Sequence, residues 1–133
     1  MNDIFSTPKE SIFYEDNKIY VAIAFDSITK GHSVVVWKDD ISDINLLNSN
    51  DYEYLMDVVE VTRKTLMEFF NVEKVYLVYF DETQHVHWHL VPRYQEKGFD
   101  VFNHQTEKIN LFPNTEKLTE IFKKNHNKMI LEN

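Results

Sequence analysis

An α+β fold built on an antiparallel sheet is what this chain predicts. Short runs rich in β-branched and aromatic residues follow one another across tight turns, a single long segment carries helical periodicity, and no internal repeat or low-complexity tract interrupts them. The 133 residues suit one domain, residues 1–133, with a compact radius of gyration of about 14 Å. The expected sheet has five strands, accompanied by one long helix and a short C-terminal helix.

Ser11 to Tyr14 and Lys18 to Phe25 flank the turn-forming Glu15-Asp16-Asn17 and read as a β-hairpin. After the loop Ser27 to Gly31, the run Ser33-Val34-Val35-Val36-Trp37 is apolar on both sides, which suits a central strand. Asn50 with Glu53 three residues later forms a capping box. Leu55, Val58, Val59, Thr62, Leu66 and Phe69 follow at helical spacing. Val75 to Phe80 and His85 to Val91 are two more strands across the loop Asp81 to Gln84, and Pro92 ends the ladder because it has no N–H to donate. Tyr94 to Pro113 shows no sustained period. Asn114 to Lys124, with Leu118, Ile121 and Phe122 on one face, is the C-terminal helix.

Composition narrows the chemistry. No cysteine is present, so disulfides, thiolate catalysis and cysteine-type metal sites are excluded, leaving histidine, carboxylates, hydroxyls and amines. Fourteen basic and 22 acidic residues give a net charge of −8, which disfavours binding a polyphosphate backbone, so no nucleic-acid partner is expected. No run of 18 apolar residues and no basic-then-apolar leader occurs, so the expectation is a cytoplasmic protein without a membrane partner.

Three of the six histidines alternate with apolar residues in His85-Val86-His87-Trp88-His89-Leu90-Val91. The twofold period of a strand puts the three imidazoles on one face and Val86, Trp88 and Leu90 on the other. A row of polar rings is costly to bury without partners, so packing alone does not account for it. A metal site is one reading. At about 3.3 Å per residue, however, His85 and His89 lie about 13 Å apart, too far for one ion to hold all three. The other reading is nucleophilic catalysis at phosphorus, in which one neutral imidazole attacks and its neighbours bind the phosphate oxygens.

The motif His85-Val86-His87-Trp88-His89-Leu90-Val91, continued by Pro92-Arg93, resembles the defining signature of the histidine triad (HIT) family, including its dinucleoside polyphosphate hydrolase branch. Gly31-His32-Ser33-Val34-Val35-Val36 resembles the family's Gly-His segment. Ile4-Phe5, Tyr14-Glu15-Asp16-Asn17 and Ala24-Phe25-Asp26 follow its N-terminal pattern in order. The resemblance covers about residues 4 to 97 and leaves 98 to 133 as a C-terminal extension. It implies a HIT-like fold and a nucleotide hydrolase in which His87 becomes nucleotidylated on the α-phosphate. His89 would then contact the phosphate oxygens, with His32 and His85 completing the site. It places Asp26 at the ribose hydroxyls and Phe5 and Phe25 at the nucleobase, and it implies a homodimer whose sheets join. The substrate it implies is a nucleoside phosphoramidate or a nucleoside di- or polyphosphate. No cofactor is required, and a divalent metal enters only as a complex with the substrate.

The chain departs from the family pattern before the triad. Asp81-Glu82-Thr83-Gln84 has no glycine where the family's loop carries Gly-Gln-Ser/Thr-Val, so Thr83 or Gln84 is the candidate to contact the phosphate. Arg93 is a candidate for outer phosphates through its bidentate fork. Two other readings stay open at this point: a nucleotide-binding regulatory module with weak turnover, and a metal-dependent hydrolase that uses the histidine cluster.

Overall fold

The computed structural model describes residues 7–80, 83–103, 106–109 and 111–132. Phe5 lies outside them, as do Asp81 and Glu82 of the loop before the triad. Strands β1 (Ile12–Glu15), β2 (Ile19–Ile23), β4 (Ser33–Trp37), β5 (Lys74–Val78) and β6 (His87–Arg93) form one antiparallel sheet in the order β1-β2-β4-β6-β5. The helices are α1 (Ser49–Phe70), α2 (Gly98–Asn103) and α3 (Thr115–Glu132), and a second, two-stranded sheet pairs β3 (Asp26–Ser27) with β7 (Glu107–Lys108). The five-stranded antiparallel sheet and the α+β class are as the sequence predicts.

The β1–β2 turn is closed by Asp16, whose Oδ1 accepts from the amides of Lys18 and Ile19 at 2.8 and 2.9 Å, the Asx geometry that makes aspartate a turn former. Helix α1 starts two residues earlier than the capping-box reading places it. Asn48, not Asn50, is the cap, and its side chain accepts from the Asp51 amide at 2.9 Å. Asn71, left-handed at φ 54°, ends the helix, a backbone that asparagine tolerates.

One face of α1 buries Leu55, Val58, Val59 and Leu66 against Val21, Val35 and Leu90 of the sheet. Cross-strand partners share a face, so the opposite side of the sheet carries Ala22, Val34 and His89 in one row and Tyr20, Val36 and His87 in the next. Tyr20, Ala22 and Val36 form a second, smaller apolar cluster there. The alternation read in the histidine strand thus divides core from site.

The ends of β6 and α3 also differ from expectation. Strand β6 runs through Pro92 to Arg93, because β4 ends opposite Leu90 and only β5 flanks the strand beyond that point. Proline is tolerated where one side of a strand has no partner. Helix α3 is 18 residues long and continues past Lys124, where Met129, at i+7 from Phe122, packs against the core beside further tertiary partners. Lys124 Nζ reaches Glu68 at 2.8 Å, Asn125 donates to Thr65 Oγ1 at 3.3 Å, and His126 packs edge-on against Tyr14.

Candidate active site

The site begins with a turn. Thr29 to His32 closes on a 3.0 Å bond from the His32 amide to the Thr29 carbonyl, with Gly31 at φ 88°, the positive φ that the third position of a type II turn requires. A side chain at Gly31 is doubly excluded, since its Cβ would stand 2.5 Å from the Phe70 ring. The turn delivers His32 to the start of β4 with its ring buried, 2% exposed.

From there three imidazoles form an ordered chain that ends on the His85 carbonyl. The Ile28 amide donates to His32 Nδ1 at 3.0 Å. An amide N–H can only donate, so that nitrogen is an acceptor and the proton of the neutral ring sits on Nε2. His32 Nε2–H then donates to His89 Nδ1 at 2.9 Å, which puts the proton of His89 on its own Nε2. That nitrogen lies 3.2 Å from His87 Nε2, and His87 Nδ1–H donates to the His85 carbonyl at 2.8 Å. The two ends, an obligatory donor at Ile28 and an obligatory acceptor at His85, agree on one direction for every proton between them. The outcome is a lone pair on His87 Nε2.

Electrostatics favour the neutral forms this order needs. Burial, reinforced by the neighbouring His89, lowers the pKa of His32 to about 3. Burial and His87 lower that of His89 to about 4. A buried imidazolium beside a second imidazole has neither solvent nor counter-charge to stabilise it.

His85 departs from the expected row. It precedes β6 instead of lying in it, and its Nε2 lies 2.6 Å from the Trp37 carbonyl. Its contribution to His87 is therefore the carbonyl, not the ring. Thr83 Oγ1 stands 3.5 Å from His87 Nδ1 and 3.4 Å from the His85 carbonyl, on the side of the ring away from the Nε2 lone pair. Gln84 is exposed, with a left-handed backbone at φ 56°. Phe25 and Asp26 follow Ala24, whose amide donates to the His32 carbonyl at 2.8 Å. Both are exposed. Arg93 is exposed at the far end of β6, opposite Lys74. Among the described residues, no group of three or more histidines, aspartates or glutamates is arranged to hold a metal ion.

Several participants leave no signal in the residue types. The Ile28 amide and the Trp37 and His85 carbonyls act through the backbone, and only Gly31 hints at the turn that presents the first of them. Phe80 packs edge-on to His89, ring centroids 6.1 Å apart. The extension also reaches the site: Lys108 pairs with Asp26, the Ile109 amide donates to the Phe25 carbonyl at 3.1 Å, and Lys108 Nζ lies 5.9 Å from the Phe25 ring centroid.

A family model described as the HIT domain matches residues 7–96. Among solved structures, a histidine triad protein from Marinobacter aquaeolei is similar at 17% identity and a TM-score of 0.70, over 85% of this chain and 88% of that one. A hypothetical histidine triad nucleotide-binding protein from Sulfolobus tokodaii is similar at 17% identity and a TM-score of 0.66, over 90% and 85%. A zinc-bound histidine triad family protein from Mycobacterium smegmatis is similar at 16% identity and a TM-score of 0.64, over 95% and 90%. At these identities the likeness speaks for the fold. No curated protein matches the chain.

Proposed function

The chain belongs to the HIT domain family, and on that premise we propose that it is a nucleotide hydrolase that cleaves a phosphoanhydride or phosphoramidate bond at the α-phosphate through a covalent nucleotidyl-histidine. The observation that carries this reading is the ordered imidazole chain, which leaves the lone pair of His87 on Nε2 while its Nδ1–H is held by the His85 carbonyl.

In the first step His87 Nε2 forms a bond to the α-phosphorus as the bond to the leaving oxygen or nitrogen breaks. The positive charge that develops on the His87 ring is met at Nδ1–H by the His85 carbonyl, an acceptor already in place before reaction. His89 Nε2–H, aimed at the reacting nitrogen, turns to the phosphoryl oxygens or to the departing group. Water then attacks the phosphorus and the bond to His87 breaks, so that His87 leaves as a neutral imidazole. One proton of the water makes good the proton the departing group took up, and the other stays with the nucleotide's phosphate or passes to solvent, so no cofactor enters the balance and a divalent cation accompanies only the substrate. Asp26 accepts from the ribose hydroxyls and Phe25 lies against the base. With Phe5, Gln84 and Arg93 they make up the nucleotide-binding set, while Thr83, which stands at His87 Nδ1, braces the nucleophile's ring and does not reach the phosphate.

The working assembly is a homodimer in the cytoplasm. Strand β5 is an edge of the sheet, and Leu77 on it is 40% exposed. An edge strand with an exposed apolar side chain is a template for pairing with a second copy. Among the described residues no helix is long and apolar enough to cross a membrane.

Intact-protein mass spectrometry after brief mixing with adenosine phosphoramidates and diadenosine polyphosphates tests the reaction. A nucleotidyl adduct or product in the wild type, absent in His87→Ala, is expected. Nucleotide binding without adduct or product would replace the hydrolase by a binding module.

A further inference from the structure

The proton order of the imidazoles depends on one backbone amide, that of Ile28, and something has to hold that amide in place. Packing does so poorly on one side. Ile28, Thr29, Lys30 and Gly31 line a cavity of about 580 Å³ whose other walls come from Ile23, Ser27, Tyr94, Glu96 and the extension. Beside the loop's own bonds to His32 and Ser33, two hydrogen bonds fasten it to β6. Thr29 Oγ1–H donates to the Pro92 carbonyl at 2.6 Å, and Tyr94 Oη–H donates to the Lys30 carbonyl at 2.8 Å. Both anchors sit at the end of β6 or just past it, on the strand that carries His87 and His89. The loop that presents the amide to His32 is therefore fastened to the strand whose histidines that amide controls.

We propose that Thr29 and Tyr94 are positioning residues: by fastening the Ile28–Gly31 loop to the end of β6 they keep the Ile28 amide on His32, and so keep His89 with its proton on Nε2, facing the reacting group. Neither side chain touches the substrate in this role. If the amide moves away, His32 Nδ1 can carry the proton instead. His32 Nε2 then becomes an acceptor, and His89 meets it by donating from Nδ1, which leaves Nε2 of His89 without a proton to offer. His87 is anchored separately by the His85 carbonyl and keeps its tautomer. Disorder is thus confined to His32 and His89. The rate effect rests on the hydrolase reading above, but the tautomer effect does not.

The test uses the full chain labelled with nitrogen-15 at histidine, as wild type, Thr29→Val, Tyr94→Phe, the double variant and Thr29→Ser. The wild type is expected to show one tautomer at each of His32, His87 and His89. In the double variant His32 and His89 should become mixtures while His87 does not change. The kcat for adenosine phosphoramidate should fall about tenfold with KM within about twofold, since loss of alignment acts on the chemical step. Thr29→Ser, which restores the donor, should return both the spectrum and the rate. Wild-type tautomers in a double variant that melts like the wild type would overturn the proposal, whatever the rate does. Tautomers that shift in a protein whose wild type turns over no substrate would uphold the positioning role and remove the hydrolase reading.

Discussion

His32 Nε2 and His89 Nδ1 meet at 2.9 Å across two neighbouring strands, so a ring at the start of β4 decides which nitrogen of a ring on β6 carries a proton. His32→Ala deletes that decision without touching the nucleophile. Turnover of adenosine phosphoramidate should drop roughly 10- to 100-fold at nearly constant KM, whereas His89→Ala, which removes the N–H itself, should cost about 100-fold or more. Steady-state kinetics on the two variants checks the order. A His32 variant as impaired as His87→Ala would contradict it.

Burial of neutral histidines makes the fold sensitive to acid. The unfolded rings take up protons near pH 6.5, while His89 and His32 in the folded chain resist until about pH 4 and about pH 3. Their contribution to stability is complete above pH 6.5 and is lost as pH falls from there toward the folded values. At about 1.4 kcal/mol per unit, each ring costs on the order of 2 kcal/mol between pH 6.5 and 5. Urea denaturation at pH 7.5, 6 and 5 should show the loss, and His32→Phe should flatten part of it.

Gly31→Ala meets two obstacles at once: a backbone at φ 88° and the Phe70 ring 2.5 Å from the new Cβ. The combined cost should reach about 2–4 kcal/mol in urea denaturation. Adding Phe70→Ala removes the contact but not the backbone strain, so the Gly31→Ala penalty measured in a Phe70→Ala background should shrink without vanishing. A penalty unchanged by Phe70→Ala would show that the ring plays no part.

The β5 edge offers a direct test of assembly. Leu77→Glu places a charge at the proposed seam and should convert the dimer to a species of 16.0 kDa in light scattering coupled to size exclusion, since a buried unpaired carboxylate opposes pairing. A wild type that already elutes as a monomer would remove the dimer from the reading.

The sheet, its long helix and the histidine face were legible in the sequence because each repeats a local pattern: alternation in β6, helical spacing in α1, turn chemistry at Asp16. The rest depends on partners distant in the chain. Asn48 and Asn50 are both competent caps, and only the docking of α1 chooses between them. Helix α3 runs past Lys124 because Thr65 and Tyr14 hold Asn125 and His126 and Met129 returns to the core at i+7 from Phe122. In the site, the four histidines were visible as residues but their order was not. That order comes from an amide at Ile28 and a carbonyl at His85, while the carbonyl of Trp37 takes the His85 ring out of the row, and these are groups every residue possesses. Asp26 was visible, whereas its pairing with Lys108 was not, since Tyr94 to Pro113 carries no period of its own.

The imidazole chain spans positions 28 to 89 and crosses from β4 to β6. A one-residue slip between these two strands would carry His87 and His89 to the helix side and bring Trp88 to the other. No fragment of the polypeptide, and no misregistered sheet, holds a directed lone pair. In a nascent or partly unfolded chain all six histidines are ordinary solvated bases, each sampling both tautomers. The directed lone pair on His87 is therefore a property of the completed fold alone.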